Sequence, residues 1–258
     1  MAQATATLVN RPAWVDLASS DAEASRNFYG QLFGWSIEVN QDPQYGGYAI
    51  AQSAGQDAAG IGPKMDPNAP TAWNLYIGTD DINALASRVK SAGGTVVMDP
   101  FPVGDQGQMA VFQDPSGAFI SAWQGTRMGG FKTSGANAYG WAEVNVQGRD
   151  RVLPFYQQVF GWEPEESPMG EGQPPYVQFK LEGDYVAGAW ETTGMQPAGT
   201  PSYWQIYFTV DDVDASFRKA LDLGAKEMLP PQEFPGGRFA IISDPQGAGI
   251  GLLKMEQR

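Results

Sequence analysis

The sequence predicts an α+β protein made by tandem duplication. Residues Trp14 to Trp35 (WVDLASSDAEASRNFYGQLFGW) are restated at Trp141 to Trp162 (WAEVNVQGRDRVLPFYQQVFGW), an offset of 141 − 14 = 127. Trp14, Phe28, Tyr29, Gln31, Phe33, Gly34 and Trp35 all recur in the copy. The echo continues in order through Gly60 and Gly188, Trp73 and Trp204, Tyr76 and Tyr207, Asp80 and Asp211, Gly93 and Gly224, and Asp114-Pro115-x-Gly117 against Asp244-Pro245-x-Gly247. Within each half, strand-like alternation gives way to helical stripes and back again. A repeat this long exceeds the roughly 20–50 residues of a solenoid unit and matches a whole domain. The halves are placed at residues 11–126 and 138–256, so any cavity should occur twice.

Each half reads as two βαβββ modules. In the first strand Val15 and Leu17 alternate with Trp14, Asp16 and Ala18, and in the second module Leu75 and Ile77 alternate with Asn74, Tyr76 and Gly78. A period of two puts these sets on opposite faces of a sheet. The aliphatic face should meet the helices, leaving the polar and aromatic face concave. The first helix is predicted at 21–33: Ser20-x-x-Glu23 is a capping-box pattern, Ala24, Phe28 and Leu32 recur at i and i+4, and Gly34 suits a left-handed C-terminal cap. In the second module Asp80 or Asp81 should cap the stripe Ile82, Leu85, Ala86 and Val89, which Gly93-Gly94 ends. Its copy runs from Asp211 or Asp212 through Val213, Phe217, Ala220 and Leu221 to Gly224. The two D-P-x-G segments fit type I turns closing the last hairpin of each half. Gln124 to Gly140, rich in Gly, Ser and Thr without apolar periodicity, reads as the linker.

Composition narrows the chemistry. The 258 residues, 42% of them hydrophobic, suffice for two ordinary cores, and 32 Gly with 19 Pro suit many short elements. No apolar run approaches the ~20 residues of a membrane span and the start lacks the order of a signal peptide, so a soluble cytoplasmic protein without a membrane partner is expected. A net charge of −13 without any basic cluster argues against nucleic acid. The chain contains no Cys and no His. Thiol and imidazole catalysis are thereby excluded, as are the common His-containing transition-metal sites.

The order of these motifs resembles the vicinal oxygen chelate superfamily, which includes glyoxalase I, bleomycin-resistance proteins and extradiol dioxygenases. The motifs are a strand, D-x-E-x-S-x-x-F-Y over Asp21 to Tyr29, a glycine, a D-D-x-x-A helix ending in Gly-Gly, and a D-P-x-G hairpin. The resemblance implies two glyoxalase-like domains, each with its paired modules forming a half-barrel sheet around a cavity. Metal-using members place a His or Gln on the first strand of each module and usually a Glu on the last. The matching positions here are Trp14, Asn74 and Ser121 in the first half, and Trp141, Gln205 and Gly251 in the second. Trp and Gly offer no ligand, and Ser and Asn are poor ones for a transition metal, so no metal or other cofactor is expected.

By strand parity the first cavity should carry Trp14, Asp16, Asn74, Tyr76, Ser121 and Trp123. The second should carry Trp141, Glu143, Gln205, Tyr207, Gly251 and Leu253. Aromatic walls with a few polar groups describe a small-molecule site. Two functions follow. In a metal-independent binding module, Trp14 and Trp141 stack a planar ligand, Asp16 and Glu143 meet its positive charge, and Asn74, Ser121, Trp123 and Gln205 line the site. In a metal-free lyase, isomerase or cyclase, Asp16 or Glu143 is the base and Tyr76 or Tyr207 the acid. The partner is a small molecule in both cases, and the protein is expected as a monomer or homodimer. The glycine-rich pieces Gly104 to Gly107 and Pro235 to Gly237 precede strands, which makes them loops over the cavity mouth rather than phosphate cradles.

Overall fold

Four βαβββ modules follow one another, as the alternation of periods predicts. The computed structural model describes residues 8–126, 131–170, 172–196 and 200–256. The first module is β1 (Pro12–Ser19), α1 (Ala22–Phe33), β2 (Ser36–Val39), β3 (Ala49–Ser53) and β4 (Gln56–Pro63). The second is β5 (Ala72–Gly78), α2 (Ile82–Ser91), β6 (Thr95–Val103), β7 (Gly107–Gln113) and β8 (Phe119–Gly125). The third is β9 (Tyr139–Val146), α3 (Leu153–Phe160), β10 (Glu163–Ser167), β11 (Tyr176–Leu181) and β12 (Asp184–Glu191). The fourth is β13 (Tyr203–Thr209), α4 (Val213–Asp222), β14 (Lys226–Phe234), β15 (Gly237–Ser243) and β16 (Gly249–Met255). The strands form two eight-stranded sheets, ordered β2-β3-β4-β1-β5-β8-β7-β6 and β10-β11-β12-β9-β13-β16-β15-β14. In every module the first strand runs parallel to the last, while the remaining pairs are antiparallel hairpins. Both glycine-rich pieces sit in such hairpins, between β6 and β7 and between β14 and β15.

The compact units of the molecule are not its sequence halves. One unit joins Met1–Trp14, Leu75–Gly130 and Trp141–Trp204, and the other joins Val15–Asn74, Phe131–Gly140 and Gln205–Arg258. Each therefore draws one module from each half. In the second unit the Tyr29 hydroxyl on α1 donates to the Asp244 carboxylate at 2.8 Å and accepts from Trp73 Nε1 at 3.0 Å. In the first unit Tyr156 on α3 donates to Asp114 at 2.8 Å and accepts from Trp204 Nε1 at 3.1 Å. Both aspartates belong to the D-P-x-G turns, where the other oxygen also accepts backbone N–H groups of the turn. Burial pushes the Asp244 carboxyl above its ordinary value against these hydrogen bonds, and pushes both phenols well up. Around each tyrosine lies a cluster of rings: Phe28, Phe33, Trp35, Trp73 and Phe208 in one unit, and Phe155, Phe160, Trp162, Phe179 and Trp204 in the other.

The helix boundaries follow local chemistry with one correction. Asp21, not Ser20, caps α1: its carboxylate accepts the Ala24 N–H at 2.9 Å, while the Ser20 N–H donates to Thr71 Oγ1. A carboxylate also interacts better with the positive helix end than a hydroxyl does. Gly34 ends α1 in the left-handed conformation, at φ 67°. Asp81 and Asp212 cap α2 and α4. Helix α3 has no such cap. Its approach is held by Glu191 at the end of β12, which accepts from the N–H groups of Gly148 and Arg149.

Of the expected linker, residues 127–130 lie outside the described residues. The stretch that follows is well fastened. Phe131 and Tyr139 are buried against one another, Lys132 Nζ donates to Ser53 Oγ, and the Asn137 N–H donates to Thr209 O. No helix among the described residues is long and apolar enough to cross a membrane.

Candidate functional site

The alternation of β1 places Asp16 as predicted, opposite the aliphatic face. Val15 and Leu17 are 0% and 1% exposed, and Asp16 turns to the other side, where it is 9% exposed. Asn74 Nδ2 donates to its Oδ1 at 2.9 Å and the Tyr48 hydroxyl donates to its Oδ2 at 3.1 Å. Asp16 stands beside Gly60 in the parallel pairing of β1 with β4. That glycine is required by a close approach, because a Cβ at residue 60 would fall 1.8 Å from the Tyr48 hydroxyl oxygen. The phenol thus occupies the space that a side chain of β4 would otherwise fill.

The copy repeats this chemistry around Glu143. Gly188 on β12 is its register partner, and a Cβ there would lie 2.0 Å from the Tyr176 hydroxyl and 3.1 Å from Trp141 Nε1. Tyr176 donates to Glu143 Oε2 at 2.9 Å and accepts from Trp141 Nε1 at 2.8 Å. An indole, a phenol and a carboxylate therefore form a short chain of hydrogen bonds over a bare stretch of strand. Tyr203 stands near: burial, followed by the field of the Glu143 carboxylate, holds its phenol above the ordinary value despite a hydrogen bond from Gln196. All of these side chains are half-exposed, hence reachable from solvent.

The other expected site residues are distributed over the two units. Asp16, Asn74, Gln205 and Tyr207 belong to the second, and Trp14, Tyr76, Ser121, Trp123, Trp141 and Glu143 to the first. Tyr76 and Ser121 are buried register partners between β5 and β8. Trp123 follows two residues along β8, and its indole N–H is buried without a hydrogen-bond partner among the described residues. Trp14 is buried. Gln205 is 3% exposed and its amide donates to the neighbouring Ile206 O. The Tyr207 ring lies across Gly251, where a Cβ would fall 1.9 Å from it, and meets Phe239 edge-on.

Sequence reasoning missed Tyr48 and Tyr176. The signal was present, since they recur at the same offset, 128, as Gly60 and Gly188. Each lies beyond a loop, at the edge of a short strand with no distinctive pattern of its own.

A profile of the glyoxalase/bleomycin resistance protein/dioxygenase superfamily matches residues 11–121 and again 138–252. The chain belongs to this superfamily. A Mycobacterium bovis protein named as a candidate glyoxylase, CFP32, is 38% identical over 94% of both chains. The anthracycline biosynthesis protein DnrV of Streptomyces peucetius is 35% identical over 95% of this chain and 94% of its own. Among solved structures, the Mn(II)-bound glyoxalase of Novosphingobium aromaticivorans superposes with a TM-score of 0.66 at 15% identity, over 95% of this chain and 82% of that one. The 2,3-dioxygenase LapB of Pseudomonas sp. KL28 gives 0.65 at 14% identity, over 98% and 94%. At such identities the structural likeness speaks for the fold.

The donor set here does not suit the Mn(II) that the Novosphingobium glyoxalase carries. Among the described residues no three His, Cys, Asp or Glu side chains come together. Gly60, Gly188 and Gly251 offer no donor, and tyrosine rings occupy the space above each of them. A single carboxylate beside a phenol is a poor cage for a transition metal.

Proposed function

We propose that this protein binds a small, flat organic molecule without a metal, using Asp16 and Glu143 as polar anchors and the neighbouring aromatic rings as walls. The observation that carries this reading is the repeated trio of carboxylate, tyrosine hydroxyl and glycine: Asp16, Tyr48 and Gly60 in one half, Glu143, Tyr176 and Gly188 in the other. In the second half the trio turns its carboxylate toward half-exposed rings, and in the first the buried Asp16 lies under the half-exposed Tyr48, a mixture of aromatic surface and few polar groups that suits an organic ligand. The relatives named for anthracycline biosynthesis support a planar aromatic ligand. Native mass spectrometry of the protein from its source, before and after chelator treatment, tests the reading. An organic adduct that survives chelation, and whose occupancy falls in Asp16→Asn or Glu143→Gln, is the expected result. A stoichiometric transition metal whose removal releases the ligand would refute it.

The hydrogen-bonded phenol and carboxylate favour a second reading, a metal-free lyase or isomerase. A carboxylate can take a proton from carbon while a positioned phenol steadies the developing oxyanion. Tyr48 and Tyr176 suit that second role because they already touch the acids, whereas the sequence pointed to Tyr76 and Tyr207. In an enzyme, Glu143→Gln lowers turnover roughly 10²–10⁴-fold while ligand binding largely survives.

A further inference from the structure

The duplicated sites share a backbone but not their walls. Gly62 in the first half becomes Trp190 in the second, two residues beyond the register glycine of each, and Ala72 becomes Tyr203. Gly62 is bare because the Tyr48 ring lies on it: a Cβ there would come within 2.7 Å of that ring. In the second half Trp190 lies beside Tyr176, with ring centroids 6.1 Å apart and planes at 40°. Gly188 and Trp190 face the same way, since alternate residues of a strand do. Trp141, Tyr176 and Trp190 therefore gather beside the carboxylate of Glu143, and Tyr203 stands close enough to feel its charge.

We infer that the second half's site takes the alkylated ammonium group, tertiary or quaternary, of its ligand, and that the first half's does not. This rests on the binding reading proposed above and names the ligand class for one of its two sites. A primary ammonium brings three N–H groups that each need an acceptor, whereas four of the five side chains here are rings. An alkylated nitrogen spreads its charge over weakly hydrated methyl groups. Aromatic faces attract such a cation, and one nearby carboxylate balances it. The first half lacks two of these rings and sets an amide, Asn74, against its acid instead.

Choline and its uncharged isostere 3,3-dimethylbutan-1-ol form a matched pair of probes. Isothermal titration and tryptophan fluorescence of the full chain should show choline binding at one site, at least about tenfold more tightly than the alcohol. Glu143→Gln should weaken choline roughly tenfold or more, and so should Trp190→Gly and Tyr203→Ala. The last two install the residues that the first half carries at the same places, so they remain informative if Glu143→Gln fails to fold. Glu227→Gln, an exposed acid elsewhere, controls for net charge. Equal binding of choline and the alcohol, or loss of choline in Asp16→Asn rather than Glu143→Gln, would overturn the inference. Binding of a neutral flat probe such as 2-naphthol that is weakened in Glu143→Gln, with choline ignored, would overturn it while leaving the broader reading intact. If neither probe class binds, both fall.

Discussion

The Asp16 and Glu143 sites differ by less than their surroundings. Both acids lie on the first strand of a half, both accept from a tyrosine hydroxyl, and both sit beside a glycine that makes room for that tyrosine. Around Asp16 the next groups are an amide and bare strand, and around Glu143 they are two further rings. A duplicated backbone has thus kept its polar nucleus while exchanging glycine for tryptophan and alanine for tyrosine. If both acids anchor a ligand, as proposed, specificity has been changed through residues that leave the frame intact.

The frame itself should respond equally in both halves, which gives the sharpest way to break the comparison. Tyr29, Tyr139 and Tyr156 are all pushed up by burial. Below about pH 10 these phenols are protonated whether the chain is folded or not. Above it the unfolded chain releases protons that the folded chain keeps, so stability falls as pH rises, by about 1.4 kcal/mol per pH unit for each tyrosine. Urea titrations between pH 9 and 12 should show this slope, and Tyr29→Phe and Tyr156→Phe should each reduce it by the same amount. Unequal reductions would show that the two tyrosine–aspartate contacts are not equivalent. Next in size, Asp244→Ala and Asp114→Ala should each cost about 2–4 kcal/mol, because each strands a buried hydroxyl and the turn's N–H groups.

The helix entrances should behave asymmetrically. Glu191→Ala removes the acceptor for Gly148, Arg149 and Thr193 and should cost about 1–3 kcal/mol, whereas Asp21→Ala removes one cap and should cost about 1 kcal/mol. Several hydrogen bonds outweigh the burial that would raise the Glu191 carboxyl and hold it below its ordinary value. Its contribution is therefore present at neutral pH and lost as pH falls through that lowered value, which acid titration of wild type against Glu191→Ala would reveal. Gly60→Ala and Gly188→Ala should cost about 1–3 kcal/mol, since each tyrosine must leave its carboxylate to admit the new methyl group, which at residue 60 also meets the Asp16 Cβ at 2.9 Å. Ligand binding should suffer far more than stability. Binding left unchanged in both variants would remove the tyrosines from the site.

The sequence disclosed the modules, the helices and the two acids because each leaves a periodic or repeated trace. Period-two alternation around Val15 and Leu17 was enough to orient Asp16, and the apolar stripe of α2 was enough to end it near Gly93. The partners of those acids were not legible in the same way. Tyr48 reaches Asp16 across 32 residues through a loop, and Tyr176 reaches Glu143 across 33. Nothing local distinguishes such a tyrosine from an ordinary strand residue. The D-P-x-G aspartates were readable as turn formers, and that role is real. Their second role, holding a tyrosine of the other half, belongs to a contact between distant segments on which local chemistry is silent.

Those crossed contacts also set an order of events for the newborn chain. Tyr29 waits for Asp244, which is translated 215 residues later, so α1 and its rings stay without their final partner until that turn has been made. The core around Tyr156 is released from this delay, because Asp114 already exists when Tyr156 emerges. Contacts of such long sequence separation slow folding and leave apolar surface exposed in the meantime. Synthesis interrupted shortly before the last hairpin should therefore yield a chain with one closed core and one that is sticky and open to proteases.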